Sequence, residues 1–72
     1  MTLPEKLRDI RLSAGITGAK MAQILGTSRG YVSQVEKGTC TISQEKIETW
    51  CNACGYSYAT VTTWEIEEWK KN

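Results

Sequence analysis

The 72-residue chain contains no histidine, and none of its apolar runs approaches the length of a membrane span. Histidine is the commonest general acid or base in enzymes, so its absence disfavours catalysis. A transmembrane helix needs about 20 consecutive apolar residues, and the N-terminus lacks the basic and apolar regions of a signal peptide. We therefore expect a cytoplasmic protein that is not an enzyme.

Cysteine is sparse and odd in number, at positions 40, 51 and 54. This argues against a disulfide framework and fits a reducing compartment. Cys51 and Cys54 have the C-x-x-C spacing of zinc and redox sites, but a structural zinc needs about two further ligands. Only Cys40 or carboxylates could supply them. Because the pair also falls on the apolar side of a predicted helix, we favour core packing and expect no metal and no cofactor.

Net charge is only +1, but it is unevenly distributed along the chain. Residues 1–41 carry six basic and three acidic side chains, whereas residues 42–72 carry three basic and five acidic ones. A basic face opposite an acidic one would produce this asymmetry, and simple solvated surfaces are the alternative. A chain of this size forms one domain that buries about 60% of its unfolded surface, so a dimer partner would add stability.

Glycines divide the first half of the chain into three predicted helices. The apolar spacing predicts helices over residues 3–14 and about 18–25, ended by Gly15 and Gly26. A helix over residues 28–37 follows at once, capped by Thr27 or Ser28 and ended by Gly38. The predicted inward side chains of the second and third helices are Met21, Ala22, Ile24, Leu25, Val32 and Val35.

The segment 21–38, MAQILGTSRGYVSQVEKG, therefore reads as two short helices joined by a tight turn. In a helix-turn-helix, the second helix fits the DNA major groove, so its outward side chains must be polar. The outward face of helix 28–37 meets this requirement, because Arg29 can bind guanine through its bidentate fork and Gln34 can pair with adenine. The predicted base-reading residues are Ser28, Arg29, Gly30, Ser33 and Gln34.

Phosphate contacts usually come from hydroxyls, basic side chains and helix N-termini beside the reading helix. The predicted phosphate-contacting residues are Lys20, Tyr31, Lys37, Thr39, Thr41 and Ser43. Half-buried packing is an equal alternative for Tyr31, and an ordinary solvated surface position is the alternative for the others.

The second half of the chain predicts a fourth helix and an ambiguous tail. Ser43 can cap a helix over residues 43–53, with a core stripe at Ile47, Trp50, Cys51 and Cys54. We divide the chain into a DNA-binding domain over residues 1–57 and a tail over residues 58–72. Residues 58–70 form either a fifth helix, which we prefer, or a β-strand that pairs across a dimer.

The segment 7–57, about 70% of the chain, resembles the Cro/CI-type helix-turn-helix domain of phage repressors and XRE-family regulators. The matching residues are Ile16-Thr17, Met21-Ala22, Leu25-Gly26-Thr27-Ser28 and Tyr31-Val32-Ser33-Gln34-Val35-Glu36-Lys37-Gly38, followed by Ser43, Ile47 and Gly55. The resemblance implies an all-α, lambda repressor-like bundle of four or five helices that binds operator DNA as a homodimer, usually to repress transcription. It also implies an ion pair between Arg11 and Glu36.

The chain departs from this family pattern at three positions. Gly18 stands where the family commonly has a glutamine that touches phosphate and braces the reading helix. Gly30 removes a side chain often used for base readout, and Ile42 replaces a common proline. Recognition should therefore depend on Arg29, Ser33 and Gln34, with DNA shape supplying further specificity.

Aromatic residues are concentrated toward the C-terminal end of the sequence, where full exposure of their apolar surface to water would be unfavourable. The predicted dimer-interface residues are Tyr56, Tyr58, Val61, Trp64 and Trp69, and packing within one chain is the alternative. A second hypothesis keeps the fold but assigns it to protein interaction, as in an antirepressor or an antitoxin. The low net charge, Gly18 and Gly30 favour that alternative.

Overall fold

Five helices account for most of residues 2–63, which are the residues that the computed structural model describes. The helices are α1 (Leu3–Ser13), α2 (Gly18–Leu25), α3 (Arg29–Lys37), α4 (Gln44–Ala53) and α5 (Tyr58–Thr63). The predicted all-α bundle is confirmed. Residues 58–63 are helical, so the strand alternative is wrong for them, and the rest of the tail lies outside the described residues.

Hydroxyl side chains begin the first four helices. Thr2, Thr17, Ser28 and Ser43 each accept a hydrogen bond from the backbone amide three residues later. Such caps satisfy amides that have no partner inside the helix. Of the two residues predicted as alternative caps of α3, Ser28 is the one that caps it. At the other ends of α2 and α3, Gly26 and Gly38 adopt left-handed conformations with φ of 70° and 77°.

The core draws side chains from all five helices. Its buried members are Leu7, Ile10, Met21, Ala22, Val32, Val35, Ile47, Trp50, Cys51 and Val61. The indole of Trp50 is fully buried and donates from Nε1 to the carbonyl of Leu7 at 3.0 Å. This bond links α4 to α1 and gives a partner to a polar group that would otherwise be costly to bury.

The structure bears on two predictions about individual apolar residues. Ile24 was predicted to face inward but is 36% exposed, because it lies two residues after buried Ala22 and hence about 200° around α2. Val61 is 0% exposed within a single chain, which favours the alternative of packing within one chain over a place at the dimer interface. It packs in the core because α5 lies on α4, and the ammonium of Lys6 donates to its carbonyl at 3.2 Å.

Among residues 2–63, no helix is both long and apolar enough to cross a membrane.

Candidate nucleic-acid interface

The turn between α2 and α3 is held by backbone bonds. The amide of Thr27 donates to the carbonyl of Ala22 at 2.8 Å, and Gly26 supplies the left-handed residue that ends α2. Ser28 then caps α3 at once, and Val32 and Val35 are almost completely buried. These buried valines fix the rotation of α3 about its axis, which determines the side chains that it presents outward.

The predicted base-reading residues lie together on the exposed surface of α3 and its N-cap. Ser28, Arg29, Gly30, Ser33 and Gln34 are all exposed. The Ser28 hydroxyl accepts from the amide of Tyr31 at 3.1 Å, so it retains a donor but has a structural task as well. A Cβ at Gly30 would meet only Ser28 Oγ, at 3.8 Å. The outer surface of α3 has a gap at Gly30 because glycine has no side chain, and no neighbouring residue fills this gap.

Five of the predicted phosphate-contacting residues are exposed around α3, namely Lys20, Lys37, Thr39, Thr41 and Ser43. Two of their hydroxyls also make local bonds. Thr39 Oγ1 donates to the carbonyl of Gln34 at 3.2 Å, and Ser43 Oγ accepts from the amide of Lys46 at 3.3 Å. The two lysines lie in the first turn of α2 and at the last residue of α3.

Tyr31 is half-buried and packs against the core. Its hydroxyl donates to the carbonyl of Thr41 at 3.2 Å, which links α3 to the loop before α4. This geometry favours a packing role for Tyr31 over a contact with a DNA phosphate.

The structure brings Arg11 and Glu36 together. Arg11 donates from Nε to Glu36 Oε2 at 2.6 Å and from Nη2 to Oε1 at 3.0 Å, while Nη1 donates to the carbonyl of Ile16 at 2.8 Å. The two side chains are 11% and 9% exposed. The hydrogen bond to Glu36 raises the pKa of the Arg11 guanidinium above its ordinary value. One guanidinium therefore joins α1, the α1–α2 loop and α3.

A cleft of about 600 Å³, here called the α1–α3 cleft, lies between these two helices. It is lined by Glu5, Arg8, Asp9, Arg11, Gly18, Arg29, Val32, Ser33, Glu36 and Lys37. A Cβ at Gly18 would meet no other atom within 4 Å, so the missing side chain helps to leave this cleft open. Sequence reasoning missed Arg8, although it precedes Arg11 by three residues and so shares its side of α1.

The cysteine pair has the properties of packing residues. Cys51 is fully buried and Cys54 is partly buried, and all three cysteines are free thiols. Burial raises the pKa of both thiols, that of Cys54 to about 11, which disfavours the thiolate needed for redox chemistry or metal binding. Within residues 2–63, no group of three or more Cys, Asp or Glu side chains is arranged to hold a metal ion.

A model of the helix-turn-helix domain family matches residues 3–64, which includes every helix described above. This chain belongs to the helix-turn-helix domain family. Its fold and family are those of DNA-binding transcription regulators and not of enzymes, and the predicted family is confirmed.

Solved structures of regulators resemble this helix-turn-helix protein over most of its length. The clp gene regulator ClgR from Corynebacterium glutamicum is 33% identical over 96% of this chain and 70% of its own, with a TM-score of 0.79. The restriction-modification controller protein C.AhdI from Aeromonas hydrophila is 25% identical, with coverage of 82% and 86% and a TM-score of 0.73. The hypothetical transcription factor NHTF from Neisseria is 27% identical, with coverage of 97% and 80% and a TM-score of 0.79. No curated protein gives a significant match.

The structure of this helix-turn-helix protein describes two of the four aromatic residues that were predicted at a dimer interface. Tyr56 and Tyr58 are half-buried and pack against the core, so each presents only part of its surface. Trp64 and Trp69 lie outside the described residues.

Proposed function

We propose that this protein is a sequence-specific regulator of transcription that binds double-stranded operator DNA through α3, as a homodimer. The observation that carries the proposal is the exposed polar face of α3, formed by Arg29, Ser33 and Gln34, on a helix whose other face is fixed by buried valines. A rigid helix with an outward polar face is what major-groove readout requires.

Arg29 is the strongest candidate for a base contact. It occupies the first residue of α3 and is exposed, and an arginine in that place can donate two hydrogen bonds to one guanine. Gln34 and Ser33 lie on the exposed side further along α3 and can bind adenine or backbone atoms. Gly30 adds no side chain and lets the helix approach the base edges closely.

Exposed basic residues at both ends of the motif favour a DNA partner over a protein partner. Lys20 and Lys37 stand where phosphates would flank a helix seated in the groove. The net charge of +1 does not oppose this interpretation, because the residues 1–41 that contain the motif carry a local excess of three positive charges.

The homodimer is proposed from the aromatic side chains near the C-terminal end of the sequence, whose full exposure to water would be unfavourable. Helix-turn-helix dimers bind two half-sites about one helical turn apart, so a two-fold protein implies a palindromic operator. We further infer a small repressor of the phage or mobile-element type, which resembles Cro. In such a protein, occupancy of the operator would follow from the concentration and dimerisation of the chain itself.

Selection of bound sequences from a random duplex pool tests this proposal. We expect enrichment of a palindromic sequence, with loss of enrichment in Gln34→Ala and retention in Gln23→Ala, a matched change at an exposed residue of α2. Circular dichroism of both variants verifies that they fold. Absence of enrichment by the unmodified protein would contradict DNA reading and favour the protein-interaction alternative.

A further inference from the structure

Arg8 lies outside the helix-turn-helix, but it lines the same cleft as five residues of α3. Three of the five, Arg29, Ser33 and Lys37, are exposed and polar, so α1 presents a guanidinium toward the helix that is proposed to enter the major groove. The side chain of Arg8 is 60% exposed. A DNA backbone that flanks α3 on this side would meet Arg8 before it met any deeper residue of the cleft.

Arg8 has only a long ion pair, to a carboxylate that Arg11 already binds. Both carboxylate oxygens of Glu36 already accept hydrogen bonds from Arg11, at 2.6 and 3.0 Å. Arg8 Nε lies 3.9 Å from Glu36 Oε1, which is outside hydrogen-bond range. Two guanidinium groups therefore share one carboxylate, and the exposed one contributes a surplus positive charge at the surface, where an ion pair of this length adds little stability.

We propose that Arg8 is an additional phosphate-contacting residue, which binds the DNA backbone where it passes the α1–α3 cleft. The proposal rests on the proposed function and adds a contact from α1 that the helix-turn-helix itself does not supply. A guanidinium suits this task because its planar fork matches two oxygens of one phosphate.

The acidic residues of the cleft do not cancel this contact. The Glu36 side chain is only 9% exposed, so it lies beneath Arg8 and is neutralised by Arg11. Glu5 Oε1 accepts from the amide and hydroxyl of Thr2, at 2.8 and 3.0 Å, which places its carboxylate at the start of α1. Asp9, which also lines the cleft, is half-buried.

The salt dependence of DNA binding tests the proposal. The full chain and its Arg8→Gln and Arg8→Lys variants are titrated with the selected duplex and with a scrambled duplex between 50 and 200 mM NaCl. For Arg8→Gln, we expect the negative slope of log K against log salt to become less steep by about 1. The affinity should fall roughly fivefold to tenfold at 0.1 M salt. The loss should be equal on both duplexes, because a phosphate carries no sequence information. Arg8→Lys should keep the slope, since a lysine can neutralise the same phosphate.

The outcomes separate this proposal from the proposed function. If the unmodified protein binds the selected duplex and Arg8→Gln has the same salt slope and affinity, Arg8 makes no phosphate contact and only this proposal is wrong. A loss confined to the selected duplex would indicate base readout and would also overturn it. If the unmodified protein binds neither duplex, both proposals are wrong. Thermal melting of the variants verifies that an altered affinity does not come from unfolding.

Discussion

Arg11 binds both carboxylate oxygens of Glu36, at 2.6 and 3.0 Å, and its third nitrogen binds the carbonyl of Ile16 at 2.8 Å. The pair joins the last turn of α1 to the last turn of α3, 25 residues further along the chain. Because both side chains are about one-tenth exposed, the attraction is only weakly screened by water. The orientation of the proposed reading helix therefore depends on an ion pair that lies outside its exposed face.

Replacement of Glu36 by Gln should destabilise the protein, because Arg11 would keep its charge in a partly buried site without a carboxylate. We expect a loss of about 1.5–3 kcal/mol in the free energy of unfolding. For a domain of this size, this corresponds to a decrease in Tm of roughly 6–24 °C. Glu48→Gln on α4, which removes the same charge, is the control and should shift Tm far less. Equal melting curves for the unmodified protein and Glu36→Gln would exclude a structural role for the pair.

Base and phosphate contacts should respond differently to substitution. Arg29→Ala should weaken binding to the selected duplex by about 1–3 kcal/mol and relax the preference at one base pair. Lys37→Gln should weaken binding to all duplexes alike and make the decrease of log K with log salt less steep by about 1. Binding measured on a set of duplexes with single base-pair changes distinguishes the two. A uniform loss in Arg29→Ala would assign that residue to the backbone instead of a base.

Removal of residues 64–72 should yield a folded monomer, if the tail forms the dimer interface. The cut after Thr63 keeps Val61 in the core and preserves its bond to Lys6, so the truncated chain should retain its helical circular dichroism spectrum. Sedimentation velocity compares its mass with that of the full chain. A truncated chain that sediments as a dimer would contradict the tail interface and direct attention to other surfaces, including half-buried Tyr56 and Tyr58.

The thiol of Cys54 should become reactive only at high pH. With a pKa of about 11, roughly one molecule in 10,000 carries the thiolate at pH 7, so alkylation of the native protein by iodoacetamide should be slow. Because the folded pKa is raised above the ordinary value of about 9, the contribution of this thiol to stability is complete below pH 9 and decreases as the pH rises toward 11.

Denaturation curves between pH 7 and pH 11 measure that decrease, and Cys54→Ala is the control in which it should be smaller. The double variant Cys51→Ala, Cys54→Ala should still bind DNA, although the loss of buried Cys51 lowers stability. Loss of DNA binding in a folded double variant would reopen a metal or redox role for the pair.

The helices and their caps could be predicted from the sequence because their signals are local. Thr17 and Ser28 are followed by apolar residues at helical spacing, and Gly26 and Gly38 end the helices that contain them. The error at Ile24 arose because an apolar residue near the end of a two-turn helix was assigned to the core by composition, whereas its angle around α2 places it outside.

Non-local features could be predicted only in part. The helical spacing of the tail places Val61 on an inward face, but the local sequence does not show whether that face packs on its own chain or on a second one, because its neighbours come from distant segments such as Lys6. The α1–α3 cleft is likewise a product of tertiary packing, so Arg8 read as an ordinary surface charge. The pairing of Arg11 with Glu36 came from family resemblance, since two charges 25 residues apart have no local signature.

Titration of the isotope-labelled protein with the selected duplex, followed by amide chemical shifts, shows whether α3 is the surface that binds DNA. We expect the largest shift changes at residues 28–34, with smaller ones at Lys20, Lys37 and Arg8. Changes confined to α4 and α5, or no changes at a duplex concentration far above that of the protein, would contradict DNA binding through α3.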